Sequence, residues 1–127
     1  MKRGFLIGLI SIVFILLLIG FVSTWADNGS SSQNIDGCNE LNTTNATYTL
    51  TSNVSSQGTC FTIAAPNITL DCNGYWINYS INGSDAAYGV YTNQFNTTIK
   101  NCNVVDGNFS SVDTERYALY LSLSNYS

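Results

Sequence analysis

Ten of the sixteen asparagines stand two residues ahead of a serine or threonine: Asn28, Asn42, Asn45, Asn53, Asn67, Asn78, Asn82, Asn96, Asn108 and Asn125. Serine and threonine make up about 22 % of the chain, so chance would place about three or four such triplets. Asn-x-Ser/Thr is the acceptor sequence for N-linked glycans on exported proteins, where bulky sugars hydrate a surface poor in charge. A mechanical explanation competes with that chemistry. Asparagine suits tight corners and threonine suits outward strand positions, so a β-rich repeat accumulates the same triplet without any sugar. Asn67, Asn96 and Asn125 fit the mechanical explanation, since each follows the last by 29 residues.

The other chemistry-bearing residues are few. Cys38, Cys60, Cys72 and Cys102 lie downstream of an apolar N-terminal segment, a context in which disulfides are expected. Four cysteines allow three pairings. The favoured one joins Cys38 to Cys60 and Cys72 to Cys102, and the alternative leaves Cys72 or Cys102 as a buried thiol. Tyr88, Tyr91, Tyr117 and Tyr120 form two Tyr-x-x-Tyr pairs, an aromatic column fit to stack on sugar rings or on another protein, or to brace its own wall. Asp106, Asp113 and Glu115 fall in one segment that could crowd a calcium ion, but they read better as a solvated loop. With no histidine in the chain, neither a Ser/His/Asp nor a Cys/His nucleophile can be assembled, and the expectation is a protein that is not an enzyme.

These residues must be positioned by a repeat. Residues 59–87 and 88–116 are two copies of a 29-residue unit, and a third begins at Tyr117 and continues for eleven residues. Phe61-Thr62-Ile63 aligns with Val90-Tyr91-Thr92 and with Leu119-Tyr120-Leu121; Asn67-Ile68-Thr69-Leu70 aligns with Asn96-Thr97-Thr98-Ile99. Each unit holds three strand-like stretches, Cys60–Ala64, Ile68–Asp71 and Tyr75–Asn78 in the first, and Gly89–Thr92, Thr98–Lys100 and Asn103–Val105 in the second. No helical apolar spacing follows residue 26, so an all-β domain is predicted, and a fixed period with three strands per unit predicts a short parallel β-helix. Strand alternation sends Phe61, Val90 and Leu119 inward, with Ile63, Thr92 and Leu121, and with Leu70 and Ile99. Thr62, Tyr91 and Tyr120 then face outward beside a small-residue column, Cys60, Gly89 and Ala118, that puts Cys60 on the outer wall. The same step sets Asp71 level with Lys100, an acid–base pair rather than two catalytic acids. Residues 38–58 carry the alternating run Ala46–Thr51 and read as an atypical capping unit, giving a β-helix over 38–127. The unfinished third copy suggests the N-terminal part of a longer array, or an open end that self-associates.

Upstream, Met1-Lys2-Arg3 and the apolar stretch 4–22 read as a secretory signal over residues 1–26, forming a hydrophobic helix, with the mature chain starting near Asp27. Left uncleaved, residues 4–22 would anchor the protein in a membrane. Arg3-Gly4-Phe5 also resembles the processing site of pilin-like precursors, a reading in which the mature chain starts at Phe5 as a filament subunit. Residues 27–37 are a polar linker without periodicity. Past the signal only Lys100 and Arg116 balance eight acids, about −6 in net charge, which argues against nucleic-acid partners.

The runs Gly58–Ile63, Asn67–Gly74 and Thr98–Cys102 resemble right-handed parallel β-helix proteins of the pectin-lyase-like superfamily, closest to the NosD-like repeat proteins of archaeal cell surfaces. The resemblance covers about 38–127 and implies a right-handed coil on an exported surface protein. Its association with copper finds no support in the ligands available, since Met1 is the only methionine and histidine is absent, so no cofactor is expected. The expected function is a non-catalytic, structural or adhesive module at the cell surface, meeting glycans, proteins or its own copies. The alternative is a fragment of a carbohydrate-active β-helix enzyme whose catalytic coils lie elsewhere.

Overall fold

Short runs of β-branched and aromatic residues broken by asparagine and glycine become strands, because such side chains fit a half-buried pleat and Asn/Gly tolerate the corners between runs. A computed structural model describes residues 29–83, 86–108 and 115–122. Among them are β1 (Ser32–Ile35), β2 (Glu40–Leu41), β3 (Thr47–Leu50), β4 (Val54–Ser55), β5 (Phe61–Ile63), β6 (Thr69–Asp71), β7 (Trp76–Tyr79), β8 (Tyr88–Thr92), β9 (Thr98–Lys100), β10 (Asn103–Asp106) and β11 (Tyr117–Leu121), and no helix. The expected N-terminal helix over 1–26, with its signal, anchor or pilin-like alternatives, lies outside the described residues. Among those described, no helix is long and apolar enough to cross a membrane.

The strands form three sheets, ordered β1-β3-β6-β9, β10-β7-β4 and β11-β8-β5-β2, and every pairing is parallel. Parallel neighbours cannot be joined by a tight hairpin. From β2 onward the chain instead visits the three sheets in strict rotation and returns to each beside the strand it left there. The expected register holds where the repeat is cleanest: Phe61 lies beside Val90, Thr69 beside Thr98 and Tyr88 beside Tyr117, each a step of 29.

Elsewhere the step changes. Trp76 pairs with Asn103, a step of 27, so the third strand of the second unit starts two residues early. Glu40 pairs with Thr62 and Thr47 with Thr69, steps of 22, because the capping unit has shorter corners. The segment 27–37, expected to be an aperiodic linker, contains β1, whose four residues pair with β3 at a step of 15. Its backbone supplies the edge bonds that β3 needs, and only Ile35 reaches the core.

One core is shared by all three sheets. Phe61, Ile63, Ile68, Leu70, Ile77, Leu50 and Val90 are fully buried, as the inward columns require, and Thr92 is buried with them. Two placements differ from expectation. Cys60 is buried rather than on an exposed wall, because its disulfide partner Cys38 packs against the same core cluster. Leu119 and Leu121 keep the expected register but are 46 % and 59 % exposed, since among the described residues β11 has a neighbour on one side only.

Two disulfides tie neighbouring strand layers. Cys38 joins Cys60 and Cys72 joins Cys102, with Cα separations of 4.6 and 4.7 Å, and no cysteine is free. This is the favoured pairing, and the buried-thiol alternative fails. Such bonds persist in oxidising surroundings, which points to a compartment outside the reducing cytosol.

Candidate functional site

The corners carry the first constellation. Asn45, Asn67 and Asn96 all have left-handed backbones, with φ of 61°, 59° and 54°, a conformation asparagine tolerates better than other residues with a Cβ. Parallel stacking brings their side chains into line. Asn67 Nδ2 donates to Asn45 Oδ1 at 2.9 Å, and Asn96 Nδ2 donates to Asn67 Oδ1 at 2.8 Å. This is the corner column expected for Asn67 and Asn96, extended backwards by Asn45; Asn125 lies outside the described residues. A second corner places Asp71 among three donors. It accepts from the Asn73 backbone N–H at 2.9 Å and from Asn101 Nδ2 at 3.0 Å, and Lys100 Nζ sits 3.2 Å from its other oxygen. The Asn101 hydrogen bond first, then that from Asn73, lowers the Asp71 pKa below the usual 3.8, with Lys100 adding to the effect. An acid held ionised by donors on three sides is a poor general acid.

The tyrosines form the second constellation, on the outer face of the sheet built from β11, β8, β5 and β2. Tyr88 stacks on Tyr120 with ring centroids 4.8 Å apart and on Tyr117 at 6.2 Å, while Tyr91 stacks on Tyr120 at 5.8 Å. Tyr88 and Tyr91 also meet, at 5.7 Å, although flat alternation would send residues three apart to opposite faces. Between them Gly89 is buried where a Cβ would come within 2.4 Å of the Ala118 carbonyl and of Val104, which explains the small residue in this column. Desolvation first, then Tyr120 and Glu115, raises the Tyr88 phenol above its ordinary pKa. The rings thus spend much of their faces on one another. The half-exposed Tyr117 and Tyr120 keep the most surface for a partner.

Sequence reasoning missed a third feature. A cleft of about 340 Å³ lies over β4, β7 and β10, lined by Asn53, Val54, Ser55, Trp76, Asn78 and Val105. Trp76 is half-exposed, and its backbone N–H donates to Asn53 Oδ1 at 3.0 Å. The alternation Trp76-Ile77-Asn78-Tyr79, with Ile77 and Tyr79 buried, was the available signal that the indole faces out.

The sequence-predicted acceptor asparagines separate by environment. Asn42 is exposed in the β2–β3 corner, and so is Thr44. Asn45, Asn67 and Asn96 belong to the ladder. Asn53 accepts from Trp76, and its triplet runs into β4. Asn78 has its Oδ1 buried without a hydrogen bond, and the Ser80 of its triplet is fully buried. Asn82 is exposed, but its Ser84 lies outside the described residues; so does the Ser110 that completes the triplet of Asn108, and so does Asn28.

Of the three acids that could crowd a calcium ion, Asp106 lies 3.4 Å from Arg116 Nε, and Asp113 is outside the described residues. Among the described residues no three acidic, cysteine or histidine side chains gather as metal ligands. Comparison with family models, with curated proteins and with solved structures returned no match.

Proposed function

We propose that this chain is an exported, non-catalytic structural module of a cell surface, wound as a short right-handed parallel β-helix of the pectin-lyase-like kind. The rotation of the chain through three parallel sheets, with registers of 22 to 29 residues, supports that winding. The observation that carries the functional reading is how the outward polar and aromatic groups are used. Asn45, Asn67 and Asn96 bond to each other, Asp71 bonds to Asn73, Asn101 and Lys100, and the four tyrosines pack ring on ring. Each array reinforces the stack along its axis, which is the behaviour of a scaffold rather than of a reaction centre. Two disulfides suit a small domain working outside the cell.

Adhesion is the second component, and it rests on the half-exposed Tyr117 and Tyr120 at the end of the tyrosine patch. Their outer ring faces would take a sugar ring or an aromatic side chain in continuation of the stack. The test uses labelled protein on intact cell envelopes and on immobilised neutral and acidic polysaccharides. Saturable retention that falls at least about tenfold in the double variant Tyr117→Ser/Tyr120→Ser, with no polysaccharide cleaved, is the expected result; an aromatic contact of about 1.5 kcal/mol is worth that factor. Release of reducing or unsaturated ends from any polysaccharide would overturn the non-catalytic reading.

A further inference from the structure

We infer that Asn42 is a residue on which this protein carries an N-linked glycan, and that folding withdraws Asn67, Asn78 and Asn96 from that chemistry. The inference rests on the export reading above, because the sugar donor and its transferase work outside the reducing cytosol.

A transferase must reach two groups at once, the asparagine carboxamide and the hydroxyl two residues on. In an extended segment those two side chains leave from the same side, with the middle residue directed the other way. The Asn42–Thr44 corner leaves both groups exposed. Its middle residue is held against the protein: the Thr43 N–H donates to the Tyr48 hydroxyl at 3.1 Å, and Thr43 Oγ1 accepts from Gln33 Nε2 at 3.3 Å. Tyr48 is itself buried, so the anchor is firm. Asn42 and Thr44 on either side are exposed, and neither side chain is bonded among the described residues.

Among the other triplets described in full, those of Asn67, Asn78 and Asn96 each lack one of the two groups. Asn67 and Asn96 have their Nδ2 atoms committed to the ladder. In the Asn78 triplet the hydroxyl is out of reach, because Ser80 is fully buried. Asn53 and Ser55 are exposed as well, but the Asn53 carboxamide is engaged through Oδ1 by the Trp76 N–H, whereas that of Asn42 is not. Because Asn67 must first give up two amide hydrogen bonds, its accessible fraction is lowered by roughly tenfold or more.

The transfer balances without a redox partner. The donor is a lipid-linked (di)phosphate oligosaccharide. Asn42 Nδ2 forms a bond to the anomeric carbon, the carbon–oxygen bond to the phosphate breaks, and the lipid phosphate leaves with the electron pair. The amide gives up one proton to a base of the transferase.

Two measurements test this. Glycopeptide mass spectrometry of the exported, disulfide-bonded protein is expected to find glycan on Asn42, lost in Asn42→Gln and also in Thr44→Ala, each with an unchanged melting temperature. In the second arm, folded protein is incubated with a purified oligosaccharyltransferase and a lipid-linked oligosaccharide. Modification at Asn42 should exceed that at Asn67, Asn78 and Asn96 by about tenfold, and prior reduction and unfolding should erase the difference. An exported protein bare at Asn42, or equal modification of Asn42 and Asn67 in the folded protein, would overturn the inference. A chain recovered with its leader attached and its thiols free would overturn the export reading instead, and the second arm would still decide on Asn42.

Discussion

Replacing Asn67 separates the two functions that one asparagine performs at its corner. Its backbone has φ of 59°, and its carboxamide both donates to Asn45 and accepts from Asn96. Alanine loses both hydrogen bonds and must also hold the left-handed backbone with a Cβ that gains nothing from it. Two exposed amide bonds at about 0.5–1 kcal/mol each, plus about 1 kcal/mol for the backbone, give a loss of about 2–3 kcal/mol. Glycine loses the same hydrogen bonds but sits in that region freely, so Asn67→Gly should cost about 1–2 kcal/mol. The difference of about 1 kcal/mol corresponds to about 4–8 °C in melting temperature for a domain of this size. Asn45, with φ of 61° and one ladder bond, supplies the control: Asn45→Ala should cost about 0.5–1 kcal/mol less than Asn67→Ala. Circular dichroism melts with the disulfides intact, backed by urea titrations, read these differences directly. If Asn67→Gly proves as destabilising as Asn67→Ala, the backbone argument is wrong. If Asn67→Ala costs no more than Asn45→Ala, the ladder is decoration.

Three further outcomes are expected. Removing Cys72–Cys102 or Cys38–Cys60 as an alanine pair should cost about 3–4 kcal/mol each by the loop-entropy relation, since the loops span 30 and 22 residues, and denaturant midpoints would show the larger loss for the longer loop. For Asp71 the folded pKa lies below 3.8, so its contribution to stability is complete above that pH and disappears as pH falls through the lower folded value. Carboxyl NMR titration should find the depression reduced more by Asn101→Gly than by Lys100→Met, the glycine being chosen because Asn101 has φ of 55°. Gly89→Ala would push a methyl within 2.4 Å of the Ala118 carbonyl and of Val104, so β10 and β11 must shift; a loss of about 1–3 kcal/mol in unfolding experiments is expected, and a neutral result would mean the approach is looser than described.

The inward columns were legible because burial repeats with the chain. Phe61 and Val90, or Leu70 and Ile99, occupy equivalent places at a constant step and must be apolar at each visit. The disulfides were only partly legible: the pairing was favoured among three, but separations of 22 and 30 do not match the step of 29. β1 was not legible. Ser32-Gln33-Asn34-Ile35 owes its strand to edge bonds on β3 rather than to side chains, and its step of 15 matches nothing else in the chain. The register of Trp76 with Asn103 was hidden for a related reason: a corner shortened by two residues leaves composition unchanged and moves the partner. Asn45 belonged to the ladder all along, but at a step of 22 it escaped an alignment built on 29.

Periodicity in a stacked chain therefore has an awkward consequence for reading function. Any outward residue type that stabilises stacking will recur at the period, and a recurring polar or aromatic column looks like a designed surface. Asn67 with Asn96, and Tyr88 with Tyr117, are such columns, and in both the side chains are occupied with their own equivalents. Residues whose exposure and free groups the stack does not explain are better evidence of a role in contact with other molecules. Asn42 and Thr44 stand clear of the ladder in a shortened corner, and Trp76 faces a cleft where its register partner is Asn103 rather than another indole. Stacking physics accounts for Asn67 in full; it leaves Asn42 with a free carboxamide, an exposed hydroxyl two residues on, and a clamped backbone between them.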